Sequence, residues 1–164
     1  MNVNQVLVDR LARELLAMDA CITTAESCTG GWIAKTLTDR PGSSAWFEYG
    51  FVSYGNNAKA GLLQVAPELI EQHGAVSSEV AQAMVAGALA TSGARLGLAV
   101  TGIAGPDGGT PDKPVGTVWF AYGLAGKDIM SSCHHLEGDR DTVRRQTVSE
   151  ALTGVLKYLE NNHG

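Results

Sequence analysis

No apolar run in this chain of 164 residues approaches the ~20 needed to cross a bilayer; the longest, such as Val115 to Tyr122, are strand-sized. No membrane span is expected. Cysteine is scarce, and Cys21, Cys28 and Cys133 are odd in number with no C-x-x-C pair. That excludes a disulfide framework and a zinc knuckle, and it fits a reducing compartment. The four histidines, His73, His134, His135 and His163, are scattered with no H-x-x-x-H or H-E-x-x-H spacing, so no metal site is expected. Basic residues are outnumbered, 17 acids to 12 bases, and the net charge of −5 repels phosphodiester backbones and anionic lipid. Neither nucleic acid nor a membrane surface is an expected partner. At the N-terminus, Asp9, Arg10, Arg13 and Glu14 interrupt the apolar pattern of Met1 to Leu16, which breaks any signal-peptide core and points to the cytoplasm.

What remains is 45% apolar and 18% charged residues, enough to fill a core, in a length that suits one domain over 1–164. Val3, Leu7, Leu11 and Leu15 recur every fourth residue and predict an amphipathic first helix. Cys21 to Ala25 reads as a strand, followed by a tight polar turn and a helix over Trp32 to Leu37. After the turn residues of Asp39 to Ser44, Trp46 to Tyr54 reads as a second strand. Helices are expected over Asn56 to Leu63, over Pro67 to Gln72 with proline at the first turn, and from Ser78 to about Thr91 behind a Ser77 cap. Leu96 to Val100 is a buried-type strand, and Val115 to Gly123 with Ile129 to Leu136 predict an antiparallel hairpin. The last helix carries Val148, Leu152, Val155 and Leu159 in one stripe, with Asp141 as its N-cap or first-turn acid. Helices on either side of parallel-type and hairpin strands predict a three-layer α/β/α domain over a mixed sheet.

The densest polar cluster is Ala25-Glu26-Ser27-Cys28-Thr29-Gly30-Gly31, where a strand ends and a helix begins. Unpaired backbone N–H groups at such a corner favour an anion or an oxyanion, which makes Ser27 a candidate nucleophile. The alternative is that Ser27 and Thr29 only cap the helix. Lys59, at the end of the next strand's motif with Tyr54, becomes a general base if burial lowers its pKa; otherwise it is a solvated helix lysine. Cys28 is the rival nucleophile. The loop Thr101 to Pro114 holds four glycines, three prolines and two aspartates, a composition that binding loops favour. It lacks the G-K-[ST] ending of a nucleoside-triphosphate cradle, yet its amides and the Thr101 hydroxyl suit a phosphate or carboxylate. Arg140, Arg144 and Arg145 sit at the start of the last helix, against its dipole, which calls either for an anion or for surface pairing with Glu137, Asp139 and Asp141.

Seven motifs in order, namely the Ala25–Gly31 cluster, Pro41-Gly42-Ser43-Ser44, Tyr54 to Lys59, Gly74-Ala75-Val76-Ser77, Thr101 to Gly109, Lys113 to Val118 and Gly138-Asp139-Arg140, resemble the CinA C-terminal-domain family over nearly the whole chain. Larger CinA proteins carry a further N-terminal domain for which this length leaves no room, so the stand-alone form is expected. The resemblance implies hydrolysis of nicotinamide mononucleotide to nicotinic acid mononucleotide and ammonia, in pyridine-nucleotide salvage, without metal or organic cofactor. It implies Ser27 as nucleophile, Lys59 as base and Tyr54 assisting. It further implies Cys28, Thr29 and Gly30 as the oxyanion turn, Thr101, Gly102 and Gly105 lining the site, and Arg140, Arg144 or Arg145 on the phosphate. A symmetric homodimer is the expected assembly. Two rivals stay open: a non-catalytic nucleotide-binding module, since family members are linked to competence and DNA damage, and a Cys28-dependent amidase.

Overall fold

The computed structural model describes residues 2–162. The first helix, α1 (Val3–Met18), starts where the Asn2 side chain accepts the Gln5 N–H and stops at Asp19, whose left-handed backbone turns its N–H back onto Leu15 and Leu16. Its buried residues are Val8, Leu11, Ala12 and Leu15. Of the expected stripe, Leu11 and Leu15 are buried and Leu7 is partly so, but Val3 is exposed in the first turn, and Val8 and Ala12 take the remaining inward positions because the buried face follows the 3.6-residue turn and not a strict spacing of four. Met1, where that segment was expected to start, lies outside the described residues.

Five strands follow in the chain: β1 (Ile22–Glu26), β2 (Phe47–Val52), β3 (Leu96–Gly102), β4 (Thr117–Leu124) and β5 (Met130–His135). They form one sheet in the order β2-β1-β3-β4-β5. β1 is parallel to both β2 and β3, while β4 is antiparallel to β3 and β5, so the sheet is mixed and the late hairpin is present as expected. Trp46, expected to open the second strand, instead ends a short 3₁₀ turn (Ser43–Ala45) and is buried there.

Period-two alternation divides the sheet into two faces. Leu96, Leu98, Val100, Val118 and Phe120 pack with α1, with α2 (Trp32–Thr38) and with the long last helix. Ala99 and Ala121 face the other way, toward α3 (Asn56–Leu63), α4 (Pro67–His73) and α5 (Ser78–Ser92). Gly97 shares that face because a Cβ there would stand only 3.0 Å from Val85. The last helix, α6 (Arg140–Asn162), is capped by Asp139, whose carboxylate accepts the Thr142 N–H at 2.9 Å; Asp141 is therefore the first-turn acid and not the cap. The result is a three-layer α/β/α domain. Among the described residues no helix is long and apolar enough to cross a membrane.

From β1 the chain runs through α2 to β2 on one side, then returns through α3, α4 and α5 to β3 on the other. The carboxyl ends of β1 and β3 thus open a crevice of the kind in which α/β sheets place ligands.

Candidate active site

Glu26 ends β1 with its carboxylate buried. It accepts the Thr29 hydroxyl at 2.5 Å and the Ile33 and Ala34 N–H groups at 2.8 and 3.0 Å, which fills the open amides at the start of α2. The cap is therefore Glu26, not Ser27. Ser27 is left with its N–H on the Val100 carbonyl and its hydroxyl on two groups, one from α3 and one from the β2–α3 connection. Those are Lys59 Nζ at 3.0 Å and the Tyr54 carbonyl at 3.4 Å.

Lys59 is only 1% exposed, on the inner face of α3. Its ammonium nitrogen lies 3.0 Å from Ser27 Oγ, from the Ser53 carbonyl and from the Tyr54 carbonyl. Among the described residues no carboxylate pairs with it. Burial accordingly holds its pKa below the ordinary 10.5. Nζ donates to all three oxygens, and the Ser27 hydroxyl donates to the Tyr54 carbonyl. Loss of one proton from this nitrogen would leave a lone pair 3.0 Å from Ser27 Oγ.

The position of α3 depends on a close helix contact. A Cβ at Gly87 of α5 would stand 1.8 Å from the Leu63 carbonyl at the end of α3, with backbone and not a flexible side chain in the way. Gly87→Ala should therefore push α3, and Lys59 with it, off the serine. The expected outcome is a loss of about 1–3 kcal/mol in urea unfolding, with activity per folded molecule falling as well. An alanine that is neutral in both measurements would contradict the contact.

A cavity of about 190 Å³ opens over this pair, lined by Ser27, Cys28, Tyr54, Lys59, Thr101 and Arg140 among others. Gly102 also lines it, and a Cβ there would meet Val118 at 2.7 Å. Thr101 is buried and spends its hydroxyl proton on the Ala75 carbonyl at 2.9 Å, so it offers the cavity an acceptor and not the expected donor. Tyr54 reaches Lys59 through its backbone carbonyl; its side chain is 57% exposed, and the phenol oxygen accepts from Arg140 at 3.0 Å. The phenol is thus at the mouth, not between the serine and the lysine. Arg140 also donates to the Gly105 carbonyl at 2.7 Å and, among the described residues, has no carboxylate partner.

The other two arginines are elsewhere. Arg145 forms an exposed ion pair with Asp141, the surface pairing that the sequence allowed. Arg144 donates to the carbonyls of Cys28 and Thr29 at 3.0 and 3.2 Å and lies 5.6 Å from the centre of the Trp32 ring. Of the turn amides, Gly30 N–H is spent on the Ser27 carbonyl at 3.1 Å and so cannot serve an oxyanion as expected. Those of Cys28 and Thr29 donate to no carbonyl among the described residues. The Cys28 thiol is buried, and burial pushes it up to about 12, which keeps it protonated and inert.

Asn56, Ala75, Val76 and Ala104 complete the cavity wall. Sequence reasoning gave these four no role, and only Asn56, inside the Tyr54-to-Lys59 motif, carried a chemical signal. Among the described residues no group of three or more His, Cys, Asp or Glu side chains could hold a metal ion; His163 lies outside them.

Fold and site together define an α/β domain that sets a serine against a buried lysine at the carboxyl edge of a mixed sheet. The chain belongs to the CinA C-terminal domain family, whose sequence model matches residues 4–159. It is 56% identical over 151 residues to the Pseudomonas putida protein named nicotinamide-nucleotide amidohydrolase PncC, covering 92% of this chain and 94% of that one. It is 51% identical over 156 residues to the Escherichia coli K12 protein of the same name, covering 94% of each. A crystal structure from Klebsiella pneumoniae, described as competence damage-inducible protein A, superposes with a TM-score of 0.94 at 38% identity, over 99% of this chain and all of that one.

Proposed function

We propose that this protein hydrolyses the carboxamide of nicotinamide mononucleotide, giving nicotinic acid mononucleotide and ammonia. The names of its relatives supply the substrate. The observation that carries the chemistry is the 3.0 Å contact between Ser27 Oγ and a buried lysine that pairs with no carboxylate among the described residues.

Ser27 Oγ attacks the carboxamide carbon as its proton passes to Lys59 Nζ. The oxygen that becomes negative faces the Cys28 and Thr29 amides. The carbon–nitrogen bond then breaks, the leaving nitrogen takes the proton from Lys59, and ammonia departs from an acyl-serine. Water follows the same route: Lys59 removes its proton, the hydroxyl oxygen bonds to the acyl carbon, and the ester bond breaks as Ser27 Oγ regains a proton. The Cys28 alternative is disfavoured by its buried, protonated thiol. Arg140 binds the phosphate: it is exposed at the mouth and has no carboxylate partner among the described residues, and the Tyr54 phenol accepts from it. The cytoplasm and a symmetric homodimer remain the expected setting, the latter open to sedimentation analysis.

Ammonia release measured across nicotinamide, its riboside and its mononucleotide tests the assignment. The mononucleotide should exceed the riboside in kcat/KM by about tenfold to hundredfold, the worth of a charged hydrogen bond of about 1.5–3 kcal/mol. Arg140→Ala should erase most of that preference. Equal rates on all three would refute a nucleotide substrate.

A further inference from the structure

The nucleophile's turn is built from alternating peptide units, and among the described residues Arg144 is the one side chain that binds two of them. In a trans peptide, the carbonyl of one residue and the N–H of the next point in opposite directions. Fixing a carbonyl therefore fixes the following amide. Arg144 Nε holds the Cys28 carbonyl at 3.0 Å, which aims the Thr29 N–H the other way. Its terminal nitrogen at 3.2 Å and the Trp32 N–H at 3.1 Å together hold the Thr29 carbonyl, which aims the Gly30 N–H; that N–H binds the Ser27 carbonyl, and the Ser27 carbonyl aims the Cys28 N–H. Within Ser27 to Gly30, the Cys28 and Thr29 amides donate to no carbonyl among the described residues.

The central unit of such a four-residue turn, here the Cys28–Thr29 peptide, is also the one that flips between the two commonest turn types. A hydrogen bond from a cation to its carbonyl selects one state and polarises the amide on its far side. The guanidinium is itself held by the Trp32 ring, 5.6 Å away, and by its place on α6. Glu26 binds the same turn through the Thr29 hydroxyl, so the turn is fixed from both sides.

Resting on the amidohydrolase reading above, we propose that Arg144 is a positioning residue that orients the Cys28 and Thr29 amides toward the developing oxyanion, and not a ligand of the substrate phosphate. A lysine in its place keeps the charge but loses the planar fork that reaches both carbonyls.

The test compares Arg144→Lys and Arg144→Met with the unaltered enzyme on nicotinamide mononucleotide. It includes the affinity of the nucleotide's aldehyde analogue, which adds to a serine hydroxyl and forms a tetrahedral oxygen, and the affinity of the carboxylate product. Both variants should lose roughly tenfold to hundredfold in kcat, with KM changed less than threefold. Aldehyde affinity should weaken by a similar factor while product affinity stays put. A rise in KM at constant kcat would assign Arg144 to substrate binding and overturn the proposal, as would unchanged kcat in both variants. If either variant unfolds, Trp32→Leu, which removes the ring beneath the guanidinium and keeps an apolar side chain against the core, should give a smaller kcat loss with the same aldehyde signature, and its absence would also overturn the proposal. Failure of the amidohydrolase reading is seen separately, as absence of ammonia release by the unaltered enzyme.

Discussion

Ser27→Ala should abolish ammonia release from nicotinamide mononucleotide while leaving the nucleotide able to bind. A nucleophile that works as one unit with its base is worth about 10⁴–10⁶ in turnover, and the residual rate reflects only binding and oxyanion stabilisation. Alanine removes one oxygen whose partners are Lys59 Nζ at 3.0 Å and the Tyr54 carbonyl at 3.4 Å, and Glu26, not Ser27, holds the start of α2. The fold should therefore be unaffected. Titration calorimetry should give a Kd within a few-fold of that of the unaltered protein, because Arg140 and the cavity wall are intact. The same pair of measurements separates an enzyme from a binding module. Turnover that survives in Ser27→Ala and disappears in Cys28→Ser would move the nucleophile to Cys28, against the burial that keeps that thiol protonated.

The elements were legible wherever burial imposes a period. The stripe of α6 and the buried run of β3 follow from spacing alone: Val148, Leu152, Val155 and Leu159 lie in the core cluster on the α1 and α6 face with Leu96, Leu98 and Val100, while Ala99 faces the opposite cluster. In α1 the spacing found Leu11 and Leu15 but not Val8 and Ala12, because the helix turns past a strict period of four. The order of the strands was not legible, because which strands become neighbours depends on crossovers that leave no local pattern. Within the site, the serine and the lysine were legible as residue types at strand ends, but their use of carbonyls was not. Tyr54 shows why: sequence draws attention to the phenol, whereas the contact to Lys59 is made by its backbone oxygen, and the phenol goes to Arg140. The three arginines separate for a geometric reason. At 3.6 residues per turn, Arg140 and Arg144 share a face of α6 while Arg145 lies about 100° further round, toward solvent and Asp141. Glu26 reaches amides seven and eight residues on only because Gly30 and Gly31 take positive φ and fold the turn back. A carboxylate cap set by that turn has no signature in a linear motif.

The second large effect belongs to Lys59, and its direction with pH distinguishes a base from a structural lysine. Lys59→Met keeps the aliphatic length inside α3 and removes the proton acceptor, so kcat should fall by about 10²–10⁴. In the unaltered enzyme the active form has the neutral amine, and burial lowers the pKa from 10.5. The kcat/KM profile should therefore rise with pH through that depressed value and fall tenfold per unit on its acid side. In Lys59→Met the levelling-off above that pKa should vanish, leaving a small rate that rises with hydroxide across the whole range. Stability carries the matching sign. Between the depressed native pKa and 10.5 the unfolded chain binds a proton that the native amine does not, so native stability falls as pH falls through this window and levels off below it. Lys59→Met lacks the titrating group, so the stability difference between the two proteins, followed by urea unfolding across pH 7 to 11, should shift in favour of the methionine variant as pH falls. An inflection that persists at the same pH in Lys59→Met, or a turnover above a tenth of the original, would place the base on another group and leave Lys59 as a tether between α3 and the carbonyls of Ser53 and Tyr54.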